Sequence, residues 1–131
     1  MHIIYNKWPK IAKESYESKQ KIIEFKKINH IVFSGMGGSG TLGDIFSAIF
    51  SCTNIQIDVI KGYNLPKTVS KNTLVISTSV SGNTIETLTV LDSASKVGCK
   101  ILACSSGGKM EEYSLKNNID PKITNRIWKN M

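Results

Sequence analysis

The sequence predicts an α/β fold, a parallel sheet with helices on both faces. Three observations carry that expectation. Four short runs rich in β-branched residues alternate with longer stretches whose apolar residues recur at three- and four-residue spacing. The connections have the length of βαβ units, whose crossovers are right-handed. Three of the runs end in turns built from Gly, Ser and Thr, and in an open parallel sheet such turns share the edge where ligands bind.

A helix is expected first, over Trp8 to Lys27, with Pro9 at an early position where its missing N–H is no loss. Ile11, Ile22 and Phe25, with Tyr16 or Ser18 between them, make an interrupted apolar stripe, so this helix belongs at the edge of a core. His30 to Ser34 is the first strand, because Ile31-Val32-Phe33 suits a strand buried on both faces. Gly35-Met36-Gly37-Gly38-Ser39-Gly40 follows, with four of the ten glycines of the chain. Leu42, Ile45, Phe46, Ile49 and Phe50 then mark a helix to about Ser51. Ile55 to Ile60 alternates and reads as a second, partly exposed strand, followed by a loop at Gly62 to Pro66. Thr73 to Ser77 is apolar enough to be central. After the polar turn Thr78 to Thr84, Ile85, Leu88, Leu91, Ala94 and Val97 predict a helix closed by Gly98. Lys100 to Cys104 is the fourth strand, Ser105 to Gly108 the third small-residue turn, and Lys109 to about Asn117 a short helix with Met110, Tyr113 and Leu115 inward. Residues Asp120 to Met131 do not read as a fifth strand; Ile123, Ile127 and Trp128 there suggest one helical turn on the surface. The expected organisation is a helical segment at 1–29, a ligand-binding domain at 30–119 and a divergent tail at 120–131.

A chain of 131 residues has room for one domain and one core. No apolar run approaches the roughly 18 residues of a membrane span, and Met1 to Pro9 lacks the pattern of a signal peptide, so a cytoplasmic protein without a membrane partner is expected. Cys52, Cys99 and Cys104 are odd in number and lack metal-ligand spacing; they read as reduced thiols, with no metal site. The net charge of +7 invites a nucleic-acid partner, but 16 of the 17 basic residues are lysines and Arg126 is the lone arginine. Base readers rely on arginine forks and stacking platforms on interleaved aromatics. Six lysines fall between Lys10 and Lys27, where Glu14, Glu17 and Glu24 partly offset them, which describes a solvated helix face. No nucleic-acid partner is expected.

A strand, a glycine turn and a helix make a site for an anion, since unpaired amides and the helix dipole point at the turn. Gly35, Gly37 and Gly40 match G-x-G-x-x-G, and Asp58 stands 18 residues beyond Gly40, close to the spacing of a ribose-binding acid. A dinucleotide-binding domain is therefore one alternative. Against it, Asp58 lies inside a strand between Ile57 and Val59, and a dinucleotide leaves the second turn without a role. That turn supplies the hydroxyls of Ser79, Ser81 and Thr84 within six residues at a helix start, with Asn83 and Glu86 at capping-box spacing. Hydroxyls and helix-start amides suit the oxygens of a phosphate monoester. The bland alternative is ordinary capping, which needs one such side chain rather than three.

Gly35-Met36-Gly37-Gly38-Ser39-Gly40 together with Ser79-Val80-Ser81-Gly82-Asn83-Thr84-Ile85-Glu86-Thr87 resembles the sugar isomerase (SIS) domain, and more closely the N-terminal half of bifunctional phosphoglucose/phosphomannose isomerases. Tyr5-x-x-Trp8-Pro9 and Ser106-Gly107-Gly108-Lys109 are also similar to that group. The resemblance spans roughly residues 5 to 119. It implies a three-layer α-β-α sandwich of flavodoxin-like type with a parallel sheet of four to five strands. It implies a phosphorylated hexose as ligand (glucose 6-phosphate, mannose 6-phosphate or fructose 6-phosphate), held by Ser79, Ser81 and Thr84 at the phosphate and by Gly37, Gly38 and Ser39 along the sugar. It implies no metal or organic cofactor. Val80 departs from the aromatic residue usual between the two serines. The group's catalytic Glu, His and Lys have no counterpart here, and Glu86, Glu111, Glu112, His30 and His2 are poor bases, so no catalytic residue is assigned. The expectation is a phosphosugar-binding part of an isomerase, truncated before its catalytic half. A non-catalytic phosphosugar-sensing module is the alternative. With no fifth strand, one sheet edge is left open, and a homodimer is a way to cover it.

Overall fold

The computed structural model describes residues 5–18 and 22–119. Its elements are α1 (Trp8–Glu17), β1 (His30–Ser34), α2 (Gly38–Phe50), β2 (Gln56–Ile60), β3 (Thr73–Ser79), α3 (Ile85–Val97), β4 (Lys100–Ser105) and α4 (Gly108–Lys116). The strands are all parallel, in the order β2-β1-β3-β4. β1 is buried along its whole length because it has a neighbour on each side and helices above and below. β3 is the other inner strand, and β2 is a half-buried edge, as their compositions predict.

Val32, Ile60 and Val75 form a core with Val90 and Ala94 of α3 on one face of the sheet. Ile31, Phe33 and Leu74 form the core of the other face. Leu91, Ala103 and Met110 join α3, β4 and α4. The cap of α3 is as expected, with Gly98 left-handed at φ 75° and its N–H directed to the Ala94 and Ser95 carbonyls.

α2 lies on the face that carries Phe33, and it approaches through a glycine. A Cβ on Gly43 would stand 2.9 Å from Phe33 Cβ and 2.9 Å from Val59 Cγ1. The close side of the helix is therefore its small residues, and Gly40 and Gly43 are its buried positions. The apolar stripe that identifies this helix turns outward instead. Leu42, Ile45, Phe46 and Ile49 are 39 to 64% exposed, although Phe46 still stacks on Phe33 at 4.9 Å between ring centroids.

Three expectations are corrected. α1 stops at Glu17, with Ser18 extended at ψ 136°, and does not continue to Lys27. Residues 22–29 are irregular, Ile22 is exposed, and Phe25 and Ile28 pack on the Ile31–Leu74 core from non-helical chain. Their apolar spacing reflects that packing and not a helical stripe. Leu115, expected inward, is 61% exposed, while Met110 and Ser114 are the buried positions of α4. Among the described residues there is no fifth strand; the tail at 120–131 and His2 lie outside them.

Candidate functional site

The chain passes from β1 to the edge strand β2 and then returns to β3 on the other side of β1. The connections after β1 and β3 therefore diverge, α2 packing on β1 and β2 and α3 on β3 and β4. Such a reversal of strand order opens a crevice at the carboxyl ends of the two strands. The glycine turn and the serine turn are its two walls. Ser34, the last residue of β1, pairs with Ser77, and β3 runs on to Ser79. The serine turn accordingly stands two residues, roughly 7 Å, beyond the glycine turn.

The glycines of the first wall divide into two kinds. A Cβ on Gly35 would stand 2.9 Å from the Ser39 carbonyl carbon, and one on Gly40 2.8 Å from the Gly35 oxygen, so packing of the turn on itself requires both. Gly37, at φ 54°, and Gly38 would meet nothing within 4 Å. Gly38 has neither positive φ nor a close neighbour, so nothing inside the chain demands glycine there. Ser39 is half-buried in the first turn of α2, its N–H donating to the Met36 carbonyl at 3.1 Å. The stem of Lys61 lies against Gly40, and its ammonium is bound to Asp44 at 2.6 Å.

In the second wall Ser79 is buried, its Oγ 2.9 Å from Thr84 Oγ1 and accepting the Gly82 N–H at 3.1 Å. Ser81 is exposed, and its Oγ accepts the Asn83 N–H at 3.2 Å. Thr84 is the N-cap of α3 and makes no side-chain cap bond. The structure thus brings all three expected hydroxyls to the positive end of a 13-residue helix, whose first amides lack intrahelical acceptors. The expected capping box does not form. The Asn83 amide is turned to the Ser81 carbonyl at 3.3 Å and to the Lys109 N–H at 3.1 Å. Glu86 remains a half-buried acid in the first turn of α3.

Asp58 is carried away from the glycine turn. His30, buried at the start of β1, has Nε2 2.8 Å from Asp58 Oδ2 and Nδ1 3.2 Å from Thr73 Oγ1, and Gln56 Nε2 donates to the same carboxylate at 3.2 Å. This network lies at the amino end of the sheet, opposite the two turns. The acid of the G-x-G-x-x-G pattern is therefore engaged elsewhere, and His30 is remote from the crevice. Among the described residues no three His, Cys, Asp or Glu side chains are placed to hold a metal ion, and no helix is long and apolar enough to cross a membrane.

The SIS domain family matches residues 24–131. A bifunctional phosphoglucose/phosphomannose isomerase of Caldicellulosiruptor bescii is 36% identical over 122 residues, which cover 89% of this chain and 35% of that protein. The enzyme of the same name from Thermoplasma acidophilum is 44% identical over 87 residues, 66% of this chain and 27% of its own length. The chain thus spans about a third of these relatives. The crystal structure of a tagatose-6-phosphate ketose/aldose isomerase from Escherichia coli shares the fold, with a TM-score of 0.53 and 21% identity over 70% of this chain and 28% of that one.

Proposed function

This chain belongs to the SIS domain family, and from that premise we propose that it binds a phosphorylated hexose in the crevice between β1 and β3. Ser79, Ser81 and Thr84 hold the phosphate with the first amides of α3, and Gly37, Gly38 and Ser39 line the sugar. The observation that carries this reading is Gly38, a glycine that chain geometry does not require, in the turn that follows β1, while Ser79, Ser81 and Thr84 gather in the turn that follows the neighbouring β3. A missing side chain at that point leaves room for a ligand against the backbone. The same crevice offers a dinucleotide no ribose acid, because Asp58 is bound to His30.

The reaction we assign to the complete site is interconversion of glucose 6-phosphate or mannose 6-phosphate with fructose 6-phosphate, a reading supported by similarity to proteins named bifunctional phosphoglucose/phosphomannose isomerase. Moving a proton between C1 and C2 requires a base. His30 and Asp58 stand at the far end of the sheet, so the base is assigned to groups this chain does not hold. A phosphosugar-sensing module without turnover is the second reading, favoured by that same placement of His30 and Asp58. We further propose a homodimer, supported by the outward apolar stripe of α2. A cytoplasmic setting goes with the reading, since Cys52, Cys99 and Cys104 are all free thiols.

Isothermal titration with fructose 6-phosphate tests the ligand. Ser81→Ala and Thr84→Val each remove a hydroxyl from a charged acceptor, at about 1.5–3 kcal/mol, and weaken binding by about ten- to a hundredfold with the fold retained. Thermal stabilisation by NAD without stabilisation by fructose 6-phosphate would overturn the proposal. In a coupled isomerase assay the chain alone is expected to show no turnover; turnover would place the base within it.

A further inference from the structure

The third small-residue turn, Ser106 to Gly108, shares the ligand edge of the sheet, and its helix α4 presents an N-terminus there. Its donors, however, point sideways at the serine turn. The Ser106 N–H donates to the Val80 carbonyl at 3.1 Å, the Met110 N–H to the Gly82 carbonyl at 2.9 Å and the Lys109 N–H to Asn83 Oδ1 at 3.1 Å. Ser106 Oγ donates to the same Val80 carbonyl. Three backbone amides and one hydroxyl from this turn and its helix start are thus taken up by three residues of the other, Val80, Gly82 and Asn83.

The two turns also touch through backbone. A Cβ on Gly82 would stand 1.8 Å from the Gly107 oxygen, and one on Gly108 would stand 2.5 Å from the Ser81 oxygen and 2.8 Å from Asn83 Oδ1. Gly82, Gly107 and Gly108 all have positive φ, at 70°, 149° and 71°. At Gly82 and Gly108 a side chain is excluded by both conformation and space, and at Gly107 it is disfavoured by conformation alone. Asn83 is the one side chain that ties the contact from both directions, its Nδ2 donating to the Ser81 carbonyl and its Oδ1 accepting from Lys109.

We propose that the β4–α4 turn is a mould for the phosphate-holding turn rather than a third ligand wall, with Asn83, Gly82 and Gly108 as positioning residues that hold Ser81 and Thr84 in their binding geometry. This rests on the phosphosugar reading for what the held geometry serves. The mould itself rests on the hydrogen bonds and the interlocked glycines.

The test is Asn83→Ala, a truncation of a largely exposed side chain, measured in two ways. Hydrogen exchange of the amides at 80–84 is expected to quicken while those of Leu74 to Ile76 stay protected. Affinity for fructose 6-phosphate is expected to fall about tenfold, as loss of a held charge-assisted hydrogen bond would give. Ile57→Val, a mild core truncation on β2, serves as a control for lowered stability and should change neither readout. Unchanged exchange at 80–84 in Asn83→Ala overturns the mould. Quickened exchange with wild-type affinity overturns the link between mould and ligand. No affinity in the wild-type chain overturns the phosphosugar reading, and the exchange result then decides the mould by itself.

Discussion

Three thiols sit in three environments. Burial pushes the Cys104 thiol up to about 11, only partly opposed by a hydrogen bond with Thr78. Burial raises Cys99 as well, and its thiol donates to the Ala94 carbonyl at 3.1 Å. Cys52 is exposed just beyond the end of α2. At pH 8 a thiol of pKa 11 is thiolate in roughly one molecule in a thousand. Alkylation at pH 8 followed by mass spectrometry is expected to give a rapid single adduct at Cys52, with Cys104 modified only on unfolding; rapid loss of the Cys104 thiol in the folded protein would contradict its burial. At this scale the gathering of Ser79, Ser81 and Thr84 at one helix start is legible in the sequence, because three hydroxyls fall within six residues. Asn83 has capping-box spacing to Glu86, but its partner is Lys109, 26 residues away and outside any local pattern. The partners of His30 are out of reach of a local pattern for the same reason, since Asp58 and Thr73 are 28 and 43 residues distant.

Between elements, α3 and α4 are tied through Asp92. Lys96, one turn further on, binds its carboxylate at 2.7 Å, and the Tyr113 hydroxyl of α4 donates to it at 3.2 Å. The Lys96 hydrogen bond is the main cause holding the Asp92 carboxyl below its usual value of 3.8, and the reciprocal bond raises Lys96 above 10.5. A depressed carboxyl stabilises the folded state above 3.8 and loses that contribution as pH falls through its folded value. The raised lysine contributes below 10.5 and loses its part as pH rises through its own folded value. Asp92→Asn is therefore expected to melt lower than wild type at pH 7, with the difference closing in acid below pH 3.8; a gap that persists there would assign the effect to something other than charge. Among the elements, β1 and β3 were legible because strands buried on both faces are apolar throughout, and α3 because Gly98 closes it. α2 was legible as a helix but not in its orientation. Its apolar stripe outweighs, in a pattern reading, the one glycine, Gly43, that fits it against Phe33 and Val59.

For the whole molecule, the exposed Leu42, Ile45, Phe46 and Ile49 on one helix give a second copy an apolar surface to cover. Light scattering is expected to return twice the 14.5 kDa of the chain, and Ile45→Asp to return the single mass; a wild-type mass of 14.5 kDa would remove the homodimer. The parallel sheet with helices on both faces was fully legible from alternation of runs. The strand order was not, because register and the reversal between β1 and β3 are set by long-range packing rather than by local pattern. The His30 network ties the starts of β1 and β3 to Asp58 midway along β2, and β1 and β3 carry the two turns at their other ends, roughly 13 Å away along β1. Sliding one strand past its neighbour by a single residue would exchange inner and outer faces and shift one wall against the other. The buried imidazole thus cross-links three neighbouring strands at one level of the sheet, and the relative height of the two turns depends on the register it joins.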